Sequence, residues 1–250
     1  MAAGWSSARL ILSADTRRLS ASVLREKSLH AALKNWYAGT DESREVAVDG
    51  YVIDLIKNDT LIELQTGNFS AVKEKLGQLL SRHKVRLVHP VAENKWIVKL
   101  GETSETAGSR RKSPKKGRVE DVFSELVYVS EYLGSPSLSV EVLLVDVEEI
   151  WARNTGGSWR RKGWGIHDQR LLRVNSSSLF RSPDDYRRLV PEDVAHGFTV
   201  KELAKATGLP HRTAGKMAYC LEKAQLLRRS GRKGRAIWYD FLPSPESPHE

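Results

Sequence analysis

The chain has a single cysteine, Cys220, among its 250 residues. That count excludes an intramolecular disulfide framework and a cysteine-based zinc site. Long apolar runs are missing as well. Near the start, Leu10-Ile-Leu12 is interrupted by Arg9 and Asp15, which leaves neither a signal-peptide core nor a membrane span. The expected location is therefore the cytoplasm, on the nucleoid if the host is prokaryotic. No internal repeat is found, and Gly156-Gly157 and Gly163-x-Gly165 lack the spacing of a phosphate-cradling glycine loop. Positive charge, in contrast, is plentiful: 40 Lys and Arg against 31 Asp and Glu give a net charge of +9. That balance favours a polyanionic partner. The length is enough for a proper core and for two domains.

Residues 51–56 and 60–65 both have the Val, Ile and Leu content of strands, and Asn58-Asp59 between them is a tight-turn signal. A two-residue turn pairs Lys57 with Thr60, and counting outward sets Asp54 opposite Glu63. Directly opposed residues have Cβ atoms about 4.5–5.5 Å apart, where two like charges repel unless a cation lies between them. By strand alternation Glu63 and Gln65 share the face of Asp54, while Ile62 and Leu64 point the other way. Two carboxylates and an amide on one face are the donor set of a hydrolytic metal site. The plainer alternative is a pair of solvated hairpin charges.

This stretch resembles the PD-(D/E)xK nuclease superfamily, whose core runs helix, strand, strand with Asp, strand with Glu-x-Lys, helix, strand. The order is met from residue 22 to about 100. A helix over Ser22 to Tyr37 carries Leu29, Leu33 and Trp36 as its apolar stripe. Glu26 lies on that same stripe, where an acid is costly to bury unless paired or metal-bound, so it matches the family's helical acid. Three strands follow from Glu45 to Gln65, with Asp49-Gly50 as the first turn, and that turn makes Glu45 a rival third carboxylate opposite Asp54. His30, one turn after Glu26, is placed to hold that acid. A second helix over Phe69 to Arg82, with Asn68 as N-cap, turns Phe69, Val72, Leu76, Leu79 and Leu80 inward. Val85 to Pro90 and Lys95 to Lys99 are the next two strands.

The family's lysine position holds Gln65, which can orient a water but brings no positive charge. Lys73, in the following helix, is the expected migrated lysine, with Lys57 at the hairpin end less well aimed. The resemblance implies Mg²⁺ or Mn²⁺ held by Asp54, Glu63 and Glu26, with Gln65 or Lys73 orienting the attacking water.

At the other end, Thr199-x-x-Glu202 is a capping box before an apolar-periodic helix. Thr207-Gly208-Leu209 makes a turn, and Pro210 suits the start of the next helix. That helix, His211 to about Gln225, turns Ala214, Met217, Ala218 and Leu221 inward, with Cys220 a small core residue beside them. His211, Arg212, Thr213 and Lys216 face outward near its N-terminal half. Two short strands then flank a basic glycine-containing loop with Arg228, Arg229, Arg232, Lys233 and Arg235. The pattern resembles a winged helix, whose helix and hairpin tip contact DNA, although such modules also bind proteins.

Between the ends, residues 101–118 make a mobile basic loop, Asp121 to Leu133 a helix, and Ser139–Val147 and Gly163–Val174 strands. Trp159-Arg-Arg-Lys-Gly-Trp164 suits either stacking on bases or a locally packed hairpin tip. The expectation is an α/β protein. Residues 1–182 form a restriction-endonuclease-like mixed sheet flanked by helices, 183–242 a small winged-helix domain, and 243–250 a disordered tail. It acts as a metal-dependent deoxyribonuclease with DNA as partner, no membrane, and room for a homodimer or a larger DNA-processing complex. The alternative is a non-catalytic DNA-binding or regulatory protein that retains a degenerate nuclease fold.

Overall fold

A computed structural model describes residues 28–38, 43–100, 109–153 and 163–243. The protein is a mixed α/β structure with one seven-strand mixed sheet and a three-strand antiparallel sheet at its C-terminal end. The elements begin with α1 (Ser28–Tyr37), β1 (Ser43–Val48), β2 (Tyr51–Lys57) and β3 (Thr60–Leu64). Then come α2 (Lys73–Leu79), β4 (Lys84–Lys99), β5 (Ser109–Lys112), α3 (Phe123–Leu126), β6 (Leu138–Arg153) and β7 (Trp164–Phe180). The C-terminal part is α4 (Pro183–Arg187), β8 (Phe198–Thr199), α5 (Val200–Thr207), α6 (His211–Lys223), β9 (Leu227–Lys233) and β10 (Ala236–Phe241). Among the described residues no helix is long and apolar enough to cross a membrane.

The large sheet has the order β1-β2-β3-β4-β6-β7, with β5 on the outer part of β4. β1, β2 and β3 form an antiparallel meander, whereas β3, β4 and β6 are parallel. A parallel step needs a crossover, and the segment carrying α2 supplies it between β3 and β4. Strand alternation then buries both faces. Leu61, Leu87 and Val142 face a core with Phe69, Leu76, Phe123 and Leu126, while Ile62, Val88 and Leu143 face Leu29 and Leu33 of α1.

Several expected elements change on folding. Residues 69–82 do not form one helix, since Phe69–Val72 is a 3-10 turn and the α-helix covers only Lys73–Leu79. Asn68 is left-handed at φ 58° and makes no side-chain cap. The Phe69 N–H donates instead to Glu125 Oε2 at 3.1 Å, a partner 56 residues away. Trp36 is not on the buried stripe: it is 50% exposed, and Lys34 is buried in its stead because acids await it across the sheet edge.

The two short strands expected at Val85 and Lys95 are one strand of 16 residues with an irregularity at Ala92/Asn94. Pro90 is tolerated within it because β3 reaches only to Val88 and β5 starts only at Trp96, leaving β4 open on that side at Pro90. Of the expected mobile loop, Ser109–Lys112 is a strand, and Gly117 packs on the β4 irregularity with its N–H on Ala92 O at 3.1 Å. A Cβ at Gly117 would lie 2.3 Å from that oxygen, so only glycine fits. Asp121 to Leu133 is a broken run of turns around α3, and the tail from 244 lies outside the described residues.

The C-terminal elements share the first core, with Phe198, Leu203, Met217, Leu221 and Tyr239 joining Phe123 and Leu126 in one cluster. The expected capping box forms. Thr199 N–H donates to Glu202 Oε2 at 2.8 Å, and Glu202 N–H to Thr199 Oγ1 at 3.3 Å. Gly208 ends α5 at φ 68°, a left-handed cap that glycine adopts without strain.

Candidate active site

The β2–β3 hairpin closes through Asn58 and Asp59, both at positive φ, as a two-residue type I′ turn requires. Its rungs are Lys57↔Thr60, Ile56↔Leu61 and Leu55↔Ile62. The ladder ends at the next rung, where Asp54 and Glu63 stand. Rather than backbone pairing there, Asp54 Oδ2 accepts the Leu64 N–H at 2.9 Å. On its other side β1 pairs through Arg44↔Leu55 and Val46↔Ile53, and Glu45 between them is strained into the left-handed region at φ 53°. Asp54 thus occupies a gap in the ladder on both sides.

Two cationic or ionisable groups of α1 close on Asp54. His30 Nε2 lies 3.4 Å from Oδ2 and 2.9 Å from Leu64 O. Lys34 Nζ is 3.5 Å from Oδ1 and donates to Glu45 Oε1 at 2.8 Å. Glu63, 9% exposed, accepts from Lys75 Nζ at 2.5 Å, and the same ammonium donates to Val52 O at 2.6 Å. Lys75 therefore ties α2 to both strands at the point where they part.

The two carboxyls are driven in opposite directions. Burial alone raises Asp54, but the hydrogen bond and charge of His30, the Leu64 N–H and the Lys34 charge outweigh it and hold the group below the usual carboxylate range. For Glu63, burial prevails over Lys75, the negative charge of Asp54 adds to it, and the group is raised. A pair pushed apart in this way favours one site that stays ionised beside one that can carry a proton.

The remaining expected residues are distributed as follows. Gln65 does not join the pair: its side-chain amide donates to Gly67 O at 2.6 Å and Asn68 O at 3.3 Å, fixing the turn into α2. Lys73 points elsewhere, to Glu131 at 2.7 Å with both side chains about half exposed. Lys57 sits at the exposed hairpin end. Glu26 lies outside the described residues, and among those described no group of three or more His, Cys, Asp or Glu is gathered to hold a metal ion.

Two rungs past Glu63, on the side where β4 is open, lies a cleft of about 430 Å³ lined by Thr66, His89, Lys95, Lys115, Ser124 and Glu125, among others. His89 is buried there with Nδ1 2.7 Å from Gln65 O, and burial lowers its pKa.

At the C-terminal end, His211 and Arg212 are exposed at the start of α6, with Thr213 half-buried. Lys216 is turned back onto the large sheet's layer, donating to Ser124 O at 3.0 Å. Arg228, Arg232 and Arg235 are exposed on the β9–β10 hairpin, while Arg229 pairs with Glu222 at 2.9 Å and Lys233 with Glu202 at 2.7 Å.

Lys34 and Lys75 bear on the site beyond the expected residues, and His30, expected beside Glu26, reaches Asp54. Lys75 had a signal in the sequence, since it flanks the Val72, Leu76, Leu79 stripe on the side opposite Lys73. Those two lysines are about 200° apart around the helix, and only the way α2 lies across β2 and β3 decides which one reaches Glu63.

The fold defines a mixed α/β protein in which Asp54 and Glu63 stand where β2 and β3 part. Asp54 is met by His30 and Lys34 of α1 and Glu63 by Lys75 of α2, so the two engage different helices in place of the one shared face expected. Residues 27–181 match the family described as Domain of unknown function (DUF8091), and the chain belongs to that family; the match identifies no nuclease family. An uncharacterized protein of Treponema pallidum (strain Nichols) is 28% identical over 232 residues, 90% of this chain and 89% of that protein. No solved structure matches the chain. Asp54, Glu63 and Lys75 all fall in the family's span, which ends one residue before Ser182, the N-cap of α4.

Proposed function

We propose that the chain is a metal-dependent endonuclease of the PD-(D/E)xK kind, hydrolysing DNA phosphodiester bonds, with its lysine supplied by Lys75 in place of the strand position held by Gln65. Residues 1–182 form the nuclease-like, restriction-endonuclease-like unit, and 183–242 a winged-helix unit that binds DNA through His211, Arg212 and the β9–β10 hairpin. The observation that carries the reading is Lys75 Nζ, 2.5 Å from Glu63 beside Asp54, at the end of the β2–β3 ladder. The α1, β1–β2–β3 meander, α2, β4 order adds support, with β4 parallel to β3 across the crossover.

The donor set fits Mg²⁺ or Mn²⁺. Magnesium usually takes one or two protein carboxylates and completes its shell with water and substrate phosphate, so a cluster of three side chains is not required. Even beside Lys75, Glu63 remains raised, which marks a buried carboxylate short of positive charge. Asp54 and Glu63 would hold the ion, with Glu26 as third acid. When bound, the ion would supply Lewis-acid activation of water and neutralise charge on the leaving oxygen.

The chain's own groups have separate tasks. The Leu64 N–H and His30 fix the Asp54 carboxylate in its ionised form. Lys75, oriented by Val52 O and Glu63, presents a cation to a phosphate oxygen entering the gap. Its charge is worth more in this half-dry site than at the surface.

The test is a cleavage assay on plasmid, linear duplex and single-stranded DNA with Mg²⁺ or Mn²⁺. Cleavage is expected to require the divalent ion and to vanish in Asp54→Ala and in Glu63→Ala, while DNA binding survives in both. Activity that resists both substitutions would put the chemistry elsewhere. Absence of cleavage with either metal on every substrate would favour the regulatory, non-catalytic alternative.

A further inference from the structure

Strands β4, β6 and β7 are 16, 16 and 17 residues long, roughly 50 Å each at 3.3 Å per residue, and their outer halves form an arm edged by β5, which the start of α1 reaches where Ser28 meets Asp168. Three tryptophans sit on the described part of this arm, Trp96, Trp151 and Trp164, and two of them lie under cations. Trp96 pairs with Lys112 across β4 and β5, with the Lys112 ammonium 5.1 Å and the Arg110 guanidinium 5.2 Å from its ring centre. Trp164 pairs with Arg153 across β6 and β7, with Arg153 at 5.5 Å and Lys99 at 4.9 Å.

Alternation puts the two clusters back to back. Trp96 and Lys99 are three residues apart on β4 and so point to opposite faces. Lys99 pairs with Trp151, which shares its face of β6 with Arg153, and Arg153 pairs with Trp164. Each face of the arm therefore offers an indole flanked by two cations, and Trp151 adds a second ring on the face of Trp164. The local acids are largely engaged: Glu148 with Arg110 at 2.8 Å, Glu149 with Lys95 at 2.8 Å and Trp151 at 3.0 Å, and Asp168 with the Ser28 hydroxyl at 2.5 Å. All four residues of β5, Ser-Arg-Arg-Lys, are exposed.

We propose that this arm binds unpaired nucleic-acid strands, one on each face, with bases stacking on Trp96 and Trp164 and phosphates on Arg110, Lys112, Lys99 and Arg153. Half-buried aromatic rings set among cations suit bases freed from a duplex, because a paired base shows no open ring face. A blunt duplex would meet the arm only through its phosphates. The proposal rests on the nucleic-acid reading of the site and sharpens it: the substrate class is DNA with a single-stranded portion, such as a fork or flap.

The test uses the full chain in chelator, with fluorescence anisotropy on oligo-dT, a forked duplex and a blunt duplex. Trp96→Ala and Trp164→Ala are each expected to weaken oligo-dT and fork binding by roughly 5- to 100-fold, with Trp96→Phe retaining most of the affinity and blunt-duplex binding nearly unchanged. Lys112→Glu, on the exposed strand β5 where the fold does not depend on it, is expected to follow the same order of substrates. The wing variant Arg232→Ala, Lys233→Ala, Arg235→Ala serves as the converse, weakening the blunt duplex and flattening its salt dependence by about one slope unit for each phosphate no longer neutralised. Equal losses on all three substrates, or none on oligo-dT, would overturn the proposal. Since chelator stops metal-dependent cleavage, the two readings separate. Selective loss of single-strand binding in a protein that cleaves nothing leaves the arm standing and removes the hydrolase, and cleavage that persists with arm variants binding oligo-dT normally removes the arm alone.

Discussion

Lys75→Ala is expected to lower metal-dependent cleavage by roughly 10²–10³-fold, the usual cost of removing one preorganised charge-stabilising donor, whereas Lys73→Ala is expected to leave it within about twofold, since exposed ion pairs contribute little. The two lysines lie two residues apart on one short helix and differ in what they reach. Lys75 is 15% exposed and joins Glu63 to Val52, while Lys73 is 45% exposed and meets Glu131 on the surface. Steady-state rates on one DNA substrate, with binding measured separately, distinguish them. A reversed order would return the role to Lys73, and equal, small effects would remove the lysine from the mechanism.

The second large effect is on stability. Lys75→Ala leaves the Glu63 carboxylate buried without its partner, and breaking a buried pair in this way costs about 3 kcal/mol, or roughly 6–12 °C in Tm for a chain of this size. Replacing both members, as Glu63→Gln with Lys75→Met, is expected to recover most of that loss, because no lone charge then remains. The dependence on pH has a definite sign. Glu63's folded pKa lies above its ordinary 4.5, so its contribution to stability is fully present below 4.5 and is lost as pH rises through the folded value. Asp54 runs the other way. With a folded pKa below its ordinary 3.8, its contribution is present above 3.8 and is lost as pH falls through the folded value. The penalty of Lys75→Ala should therefore shrink as pH is lowered from neutrality toward 4.5, where Glu63 takes up a proton. Thermal melts in chelator across that range measure it, and a penalty that stays constant or grows on acidification would mean that Glu63 is not the group left bare.

Local chemistry made some of this architecture legible in advance. Asn58-Asp59 fixed the hairpin register to the rung, and Thr199 with Glu202 fixed the start of α5, because both signals act over four residues or fewer. What counting could not give was where the ladder would stop. Register alone puts Asp54 and Glu63 on one rung, but the structure uses the Asp54 carboxylate to take the Leu64 N–H. The Phe69 cap comes from Glu125, far along the chain, so a search near Asn68 could not find it. Lys34 shows the same limit. A lysine one position past Leu33 has the pattern of a solvated residue, and it is buried only because Asp54 and Glu45 converge on it from the sheet. Residues whose partners are close in sequence were readable, and those whose partners arrive by tertiary packing were not.

The most direct test of the central claim, that Asp54 and Glu63 form a divalent-ion site, needs no substrate. Mn²⁺ is titrated calorimetrically into the wild-type protein and into the Asp54→Ala, Glu63→Ala double variant at neutral pH. The expected result is a saturable isotherm in the wild type that weakens by more than about tenfold in the double variant, since even the outer-shell partners of a metal site are worth 10- to 100-fold. No binding heat in the wild type, or the same isotherm in both proteins, would contradict it.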